Sequence, residues 1–328
     1  MNKNNRLGKF GGGILTGLKN YDQLGILIVL IAIIVLVSIV KPVFLSEENL
    51  VNIFRSTSFV YIIGIAMTFV LITGGFDLSV GAVMAMGGIL SSMAAQAGLS
   101  IPLCVVIGVL FGVGIGVLNG LFVVKLNIPP LIVTLGMLYI CQSLILIITS
   151  GRAIYPLPDN FKVMGQGSVG GVPNVFLIAI VLTVVAMVTL KLTPYGRSVY
   201  SVGGNREAAR LSGINVQKIM VSVYILTGSS AALAGILMAA RLNSAQPSAG
   251  SGYELTVIAA VIIGGTSMFG GSGSVIGTFI GAFLMLVIET SMLLLKISPY
   301  WQNFVVGVII IFAVGLDQYR RKKMGLSG

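Results

Sequence analysis

Eight long stretches of this chain contain no Asp, Glu, Lys or Arg, and nothing else limits its fold as strongly. They cover 23–40, 56–76, 78–124, 126–151, 163–190, 219–240, 255–288 and 297–316. A helix that crosses a bilayer needs about 20 apolar residues, so six of these stretches predict one crossing each. The 78–124 stretch is long enough for two, with Gly98-Leu99-Ser100-Ile101-Pro102 as the turn between them. The 255–288 stretch continues past Glu289 to Leu295 and is interrupted at Gly264–Gly265 and Gly270–Gly273, so it too predicts two. The expectation is an all-α polytopic membrane protein of about ten transmembrane helices, one domain over 1–328. Charged residues make up only 9% of the chain, against roughly 25% in soluble domains. A soluble fold would have no solvated surface.

The basic residues set the orientation. With the N-terminus in the cytoplasm, 14 of the 20 Lys and Arg fall on inside segments: 1–22, Lys125, 191–218 and the region after 316. Cytoplasmic segments carry such an excess. Ten crossings then return the C-terminus to the same side, with Arg320-Arg321-Lys322-Lys323 in a basic cytoplasmic tail over 317–328. The net charge of +11 is thereby explained by membrane orientation, with no nucleic-acid partner. The basic N-terminus leads into an apolar stretch without a small-residue cleavage site, which predicts a retained span rather than a signal peptide. Cys104 and Cys141 lie in apolar stretches and read as buried free thiols.

The sequence also repeats itself. Phe76-Asp77-Leu78-Ser79-Val80 matches Tyr253-Glu254-Leu255-Thr256-Val257, and Gly87-Gly88 matches Gly264-Gly265. Further on, Ile107-Gly108 with Gly112 matches Ile276-Gly277 with Gly281, and Ile128-Pro129-Pro130 roughly matches Ile297-Ser298-Pro299. Third, fourth and fifth spans pair with eighth, ninth and tenth. An odd number of crossings separates the partners, so the repeat is inverted in the membrane. Inverted repeats with interrupted helices mark transporters, with the substrate path at the repeat interface.

The loop 191–218 is the longest cytoplasmic segment. Asn205 can cap a helix with Glu207 in its first turn, Ala208, Ala209 and Leu211 along it, and Gly213 ending it. A short amphipathic helix there suits a groove on a partner; a plain basic loop is the other reading.

Several motifs carry a family resemblance. Gly203-Gly204-Asn205-x-Glu207-Ala208-Ala209-Arg210-x-x-Gly213-Ile214 resembles the ATPase-coupling segment of ribose-type, binding-protein-dependent ABC transporter permeases. Thr73-Gly74-Gly75-Phe76-Asp77-Leu78-Ser79-Val80-Gly81, Gly264-Gly265-Thr266-Ser267-x-Phe269-Gly270-Gly271 and Ser298-Pro299-Tyr300-Trp301-Gln302 resemble that family too. The resemblance runs from about residue 55 to 317 and implies a sugar importer of the bacterial cytoplasmic (inner) membrane, for ribose or a similar monosaccharide. It implies a homodimer of this chain, separate ATP-binding subunits and an extracytoplasmic sugar-binding protein. It also implies that Gly204, Asn205, Glu207, Ala208, Ala209, Arg210 and Gly213 dock the ATPase.

Energy has to come from elsewhere. There is no Gly-x-x-x-x-Gly-Lys-Ser/Thr, and the Gly-rich stretch 264–273 has no Lys or acid to hold phosphate or Mg²⁺. No cofactor, catalytic residue or metal ligand set is expected, because the chain lacks His, clustered carboxylates and a nucleophile–base pair. The alternative to the ABC reading is a self-sufficient secondary transporter with Glu289 as a proton site.

Acids inside a membrane invite a functional reading, since one costs about 2.5–3.5 kcal/mol at the helix centre on insertion scales. Asp77 is expected at the cytoplasmic end of the second span and Glu254 at the outer end of the eighth. Each can either start a helix or face the path. Glu289 falls within the ninth span, and its repeat counterpart is Asn119 in the fourth, which places both on a shared cavity. The family carries Asn at the position of Glu289, so this chain departs from it. Glu289 is a substrate contact, an ion-pair partner of Lys296, or a subunit contact. Gln142 and Gln302 read as packing residues.

Overall fold

The computed structural model describes residues 10–298 and 300–323, and within them the fold is built almost wholly of helices. Five come first: α1 (Phe10–Val40), α2 (Glu47–Ile72), α3 (Val80–Gln96), α4 (Ile101–Lys125) and α5 (Pro130–Thr149). A short helix α6 (Asp159–Gln166) and a hairpin of two two-residue strands, β1 (Ser168–Val169) and β2 (Val172–Pro173), follow. Then come α7 (Asn174–Leu192), α8 (Pro194–Gly204), α9 (Arg206–Leu211) and α10 (Val216–Leu242). The chain closes with α11 (Tyr253–Ile263), α12 (Val275–Leu294) and α13 (Tyr300–Lys323).

Among the described residues, seven helices are long and apolar enough to cross a membrane: α2, α4, α5, α7, α10, α12 and the Tyr300–Tyr319 part of α13. Local signals place the boundaries. Ser46 caps α2 through the Asn49 N–H, Ser274 caps α12 through the Gly277 N–H, and Asn243 ends α10 in the left-handed region. The expected turn at 98–102 is there, between the end of α3 and the start of α4.

α2 is the central element. Every residue from Thr57 to Ile72 is buried, whereas α4, α5 and α7 turn most of their apolar side chains outward, as a surface meeting lipid would. Glycines let α4 press directly on α10. Gly108, Gly112, Gly116 and Gly120 recur every fourth residue on one face of α4, opposite Ile236, Gly228, Tyr224 and Val221. Gly112 and Gly228 meet backbone to backbone, and Gly235 of α10 meets the Met84 backbone of α3 in the same way. Small residues at four-residue spacing permit this approach.

α10 also serves as a ruler. Its 27 residues span about 40 Å. Tyr224 donates to the Phe76 carbonyl about 12 Å from the Val216 end, and Gly235 meets Met84 about 28 Å from it. Residues 73–79 therefore climb into the body as irregular chain, and α3 begins well inside it. α11 covers about 16 Å, half the roughly 30 Å hydrocarbon thickness, so the full eighth crossing expected from the sequence is not formed. Instead α3 and α11 meet at their N-terminal ends: Gly81 and Gly250 pack backbone to backbone. Together the two half-helices are about as long as α10.

Other element boundaries shift against the expectation. The uncharged stretch 163–190 holds its one candidate crossing, α7, but that starts only at Asn174, after the first residues finish α6 and build the hairpin. Of the segment 1–22, expected to precede the first span, residues 10–22 are part of the helix α1, and residues 1–9 lie outside the described residues. In the tail 317–328 the helix α13 runs on to Lys323, and 324–328 lie outside them, as does Pro299 of the Ser298–Gln302 motif. Cys104 and Cys141 are free and buried.

Candidate functional site

The loop 191–218 folds into two helices rather than the single one its sequence suggests. Pro194 opens α8, whose first turn is closed by the Thr193 hydroxyl accepting from the Gly196 N–H at 3.1 Å. At its far end Asn205 is extended and accepts from the Ala208 N–H at 2.9 Å, capping α9. Gly213, at φ +81°, donates to the Arg210 carbonyl, and Ile214 donates to Ala209, which closes the helix.

α9 buries one residue and shows the rest. Ala209 packs inward, while Glu207, Ala208, Arg210 and Leu211 are exposed, as are Gly204 and Asn205. Glu207 and Arg210 form an ion pair at 2.6 Å on the outer face. The Arg210 guanidinium holds the Glu207 carboxyl below its usual range and is itself raised by it. The face thus offers one carboxylate, one guanidinium and an exposed leucine in two turns. Its helix is too short to hold itself up in water, so α8 and the protein body must present it.

A second set of polar groups lies inside the body. Ser79, which the sequence reading left unassigned, joins two of the expected residues. Asp77 Oδ1 accepts from the Ser79 N–H at 2.9 Å and from its hydroxyl at 2.6 Å. Asn119 Nδ2 donates to the same Ser79 Oγ at 3.0 Å. Asp77, Ser79 and Asn119 are all buried, and Asn119 Oδ1 has no partner among the described residues. The chain of bonds ties the start of α3 to the C-terminal third of α4. Only a bond spanning 40 residues of sequence reveals Ser79, which is why local pattern does not single it out.

Glu254 sits in the first turn of α11 with its carboxylate against Gly81. Asp77 and Glu254 were expected at opposite ends of the membrane; the two half-helices carry them toward one another instead. Asn119 and Glu289, expected on a shared cavity, differ in burial within the chain. Asn119 is sealed on α4 beside Ser79, whereas Glu289 is exposed on α12. No Glu289–Lys296 ion pair forms among the described residues. Gln142 and Gln302 are half-buried. No group of three or more Cys, Asp or Glu able to hold a metal occurs among the described residues.

Comparison with known proteins adds a family. Residues 49–314 match the family described as branched-chain amino acid transport system / permease component. The chain is 41% identical over 296 residues to the ribose import permease protein RbsC of Haemophilus influenzae, covering 89% of this chain and 92% of that protein. It is 39% identical to RbsC of Bacillus subtilis, with 90% and 93% covered. It is 34% identical to the D-allose transport system permease protein AlsC of Escherichia coli, with 91% and 92% covered. No solved structure matches it significantly. A match that takes in the central α2, both half-helices and the α8–α9 platform leaves little of the chain outside it, and the protein belongs to this transport-system permease component family.

Proposed function

We propose that this chain is the membrane-spanning permease subunit of a bacterial ABC importer in the cytoplasmic membrane, and that its cargo is a sugar, a ribose-like monosaccharide. The observation that carries the reading is the match over nine-tenths of the chain to ribose import permeases. Although the family's description names branched-chain amino acids, the relatives with stated cargo here carry ribose, arabinose and allose.

Ten membrane-embedded segments, α1–α5, α7 and α10–α13, form an inverted repeat, with α3 and α11 as its two half-helices and both termini in the cytoplasm. α9 faces the cytoplasm, where Glu207, Ala208, Arg210 and Leu211 dock a separate ATP-binding subunit, which hydrolyses the ATP. A sugar-binding protein delivers cargo from the other side, and two copies of the chain enclose the path. Glu254 and Glu289 line it; Asp77 and Asn119 become accessible only when α3 and α11 part. Weak polar contacts suit a conduit, because cargo held tightly would not leave.

The test is co-purification with its ATP-binding subunit and sugar-binding protein, followed by reconstitution with ribose. Ribose should stimulate ATP hydrolysis and enter the vesicles. Glu207→Arg should release the ATP-binding subunit and abolish uptake while the chain still inserts. Uptake driven by a pH gradient on the purified chain alone would overturn the proposal.

A further inference from the structure

Two breaks in the helical body lie directly beneath α8 and α9. One is the corner at Thr73–Ser79, between α2 and α3; the other is the loop 264–274, between α11 and α12. Each break feeds one of the two half-helices that meet at Gly81 and Gly250. The α8–α9 platform is fastened to both.

To the first break, Arg206 Nη2 donates to the Thr73 carbonyl at 3.3 Å. To the second, the Tyr200 hydroxyl donates to the Gly273 carbonyl at 2.9 Å. Between them lies a knot of backbone. The Gly271 N–H donates to the Ile72 carbonyl at 2.8 Å, and Gly203 is pressed so closely on that carbonyl that a side chain there would overlap it. Gly270 and Gly271, at φ +89° and +79°, bring the loop against Gly203 and Gly204. The loop is held from another side too, where Asp317 of α13 accepts from the Ser267 hydroxyl and the Met268 N–H.

The acceptors are carbonyls at helix breaks, Thr73 after α2 and Gly273 before α12, so neither bond is needed to keep a helix wound. Both join separate elements, and both originate within six residues of α9. We propose that Arg206 and Tyr200 are positioning residues for transport, locking α8 and α9 to both breaks so that one displacement of α9 moves the two half-helices together. This rests on the reading that α9 docks an ATP-binding subunit. A rigid link is what the task requires, because a shift that reached only one half-helix would leave the other closing the path.

The experiment uses the assembled complex of permease and ATP-binding subunit in vesicles with the sugar-binding protein, measuring ATP hydrolysis and ribose uptake together. In the double variant Arg206→Ala, Tyr200→Phe, the complex should assemble and basal hydrolysis should persist. Uptake per ATP should fall about tenfold, the rate equivalent of losing a hydrogen bond from a charged group. Arg206→Lys, which keeps a charged donor, should recover most of the uptake. Unchanged uptake per ATP would overturn the proposal. So would a parallel fall in hydrolysis, uptake and thermal stability, which marks a merely structural role. Failure of the unaltered chain to retain the ATP-binding subunit would instead overturn the docking assignment of α9.

Discussion

The starts of α3 and α11 are spelled alike, Phe-Asp-Leu-Ser-Val and Tyr-Glu-Leu-Thr-Val, yet they sit in unlike surroundings. Asp77 is sealed, its carboxylate held by Ser79 and, through it, by Asn119 of α4. Glu254 is half-buried and rests against bare backbone at Gly81, with no side-chain partner for its carboxylate among the hydrogen bonds of the described residues. The start of α3 is therefore tied to a neighbouring helix by side-chain bonds, while the Glu254 carboxylate finds only backbone N–H groups of its own turn. Similar sequence gives an anchored half-helix and a looser one.

The largest expected effect comes from separating the two halves altogether. Gly250→Val would drive a branched side chain into the Gly81 carbonyl, and overpacking where backbone must move costs about 3 kcal/mol or more. Expression followed by detergent size-exclusion should show little monodisperse protein. Next, Asp77→Ala leaves the buried Ser79 N–H and hydroxyl without their acceptor, a loss of about 1–3 kcal/mol. Glu254→Ala should change stability by no more than about 0.5 kcal/mol. Thermal melts of both variants check the contrast, and equal shifts would break it.

Glu207 extends the series to a third carboxylate at a helix start, this time fully exposed. Its pKa is depressed in the folded chain by Arg210, so the pair's contribution is complete above the ordinary carboxylate range. It is lost as pH falls through the depressed value. The expected outcome is small: retention of the ATP-binding subunit should weaken on acidification, and Glu207→Gln should remove that pH dependence. A pull-down across pH measures it.

Much of this was legible in the chain because its signals are local. Asn205 and Gly213 delimit α9 by cap chemistry that acts over three or four residues, and Gly98 marks a turn in the same way. Charge boundaries located most membrane-embedded segments, since solvated ends need charge. They failed at 163–173, where an exposed hairpin happens to carry little charge and merges with the apolar run of α7. They misled again at Glu254, a charge that stands at the start of α11 inside the body rather than at a membrane surface, so a half-helix read as a full crossing. The pairing of Asp77, Ser79 and Asn119 and the unlike burial of Asn119 and Glu289 depend on which helix faces each turn. That is settled by packing between distant segments, which periodicity does not encode.

The glycine column on α4 has a mechanical consequence. Contacts between side chains can be compressed, sheared or repacked by rotamer changes, but backbone lying on backbone has no such give. α3, α4 and α10 therefore act as a single stiff plate, and a cycle of opening cannot be absorbed within it. α3 travels with that plate as one body, so what parts from it is α11, at the Gly81–Gly250 contact.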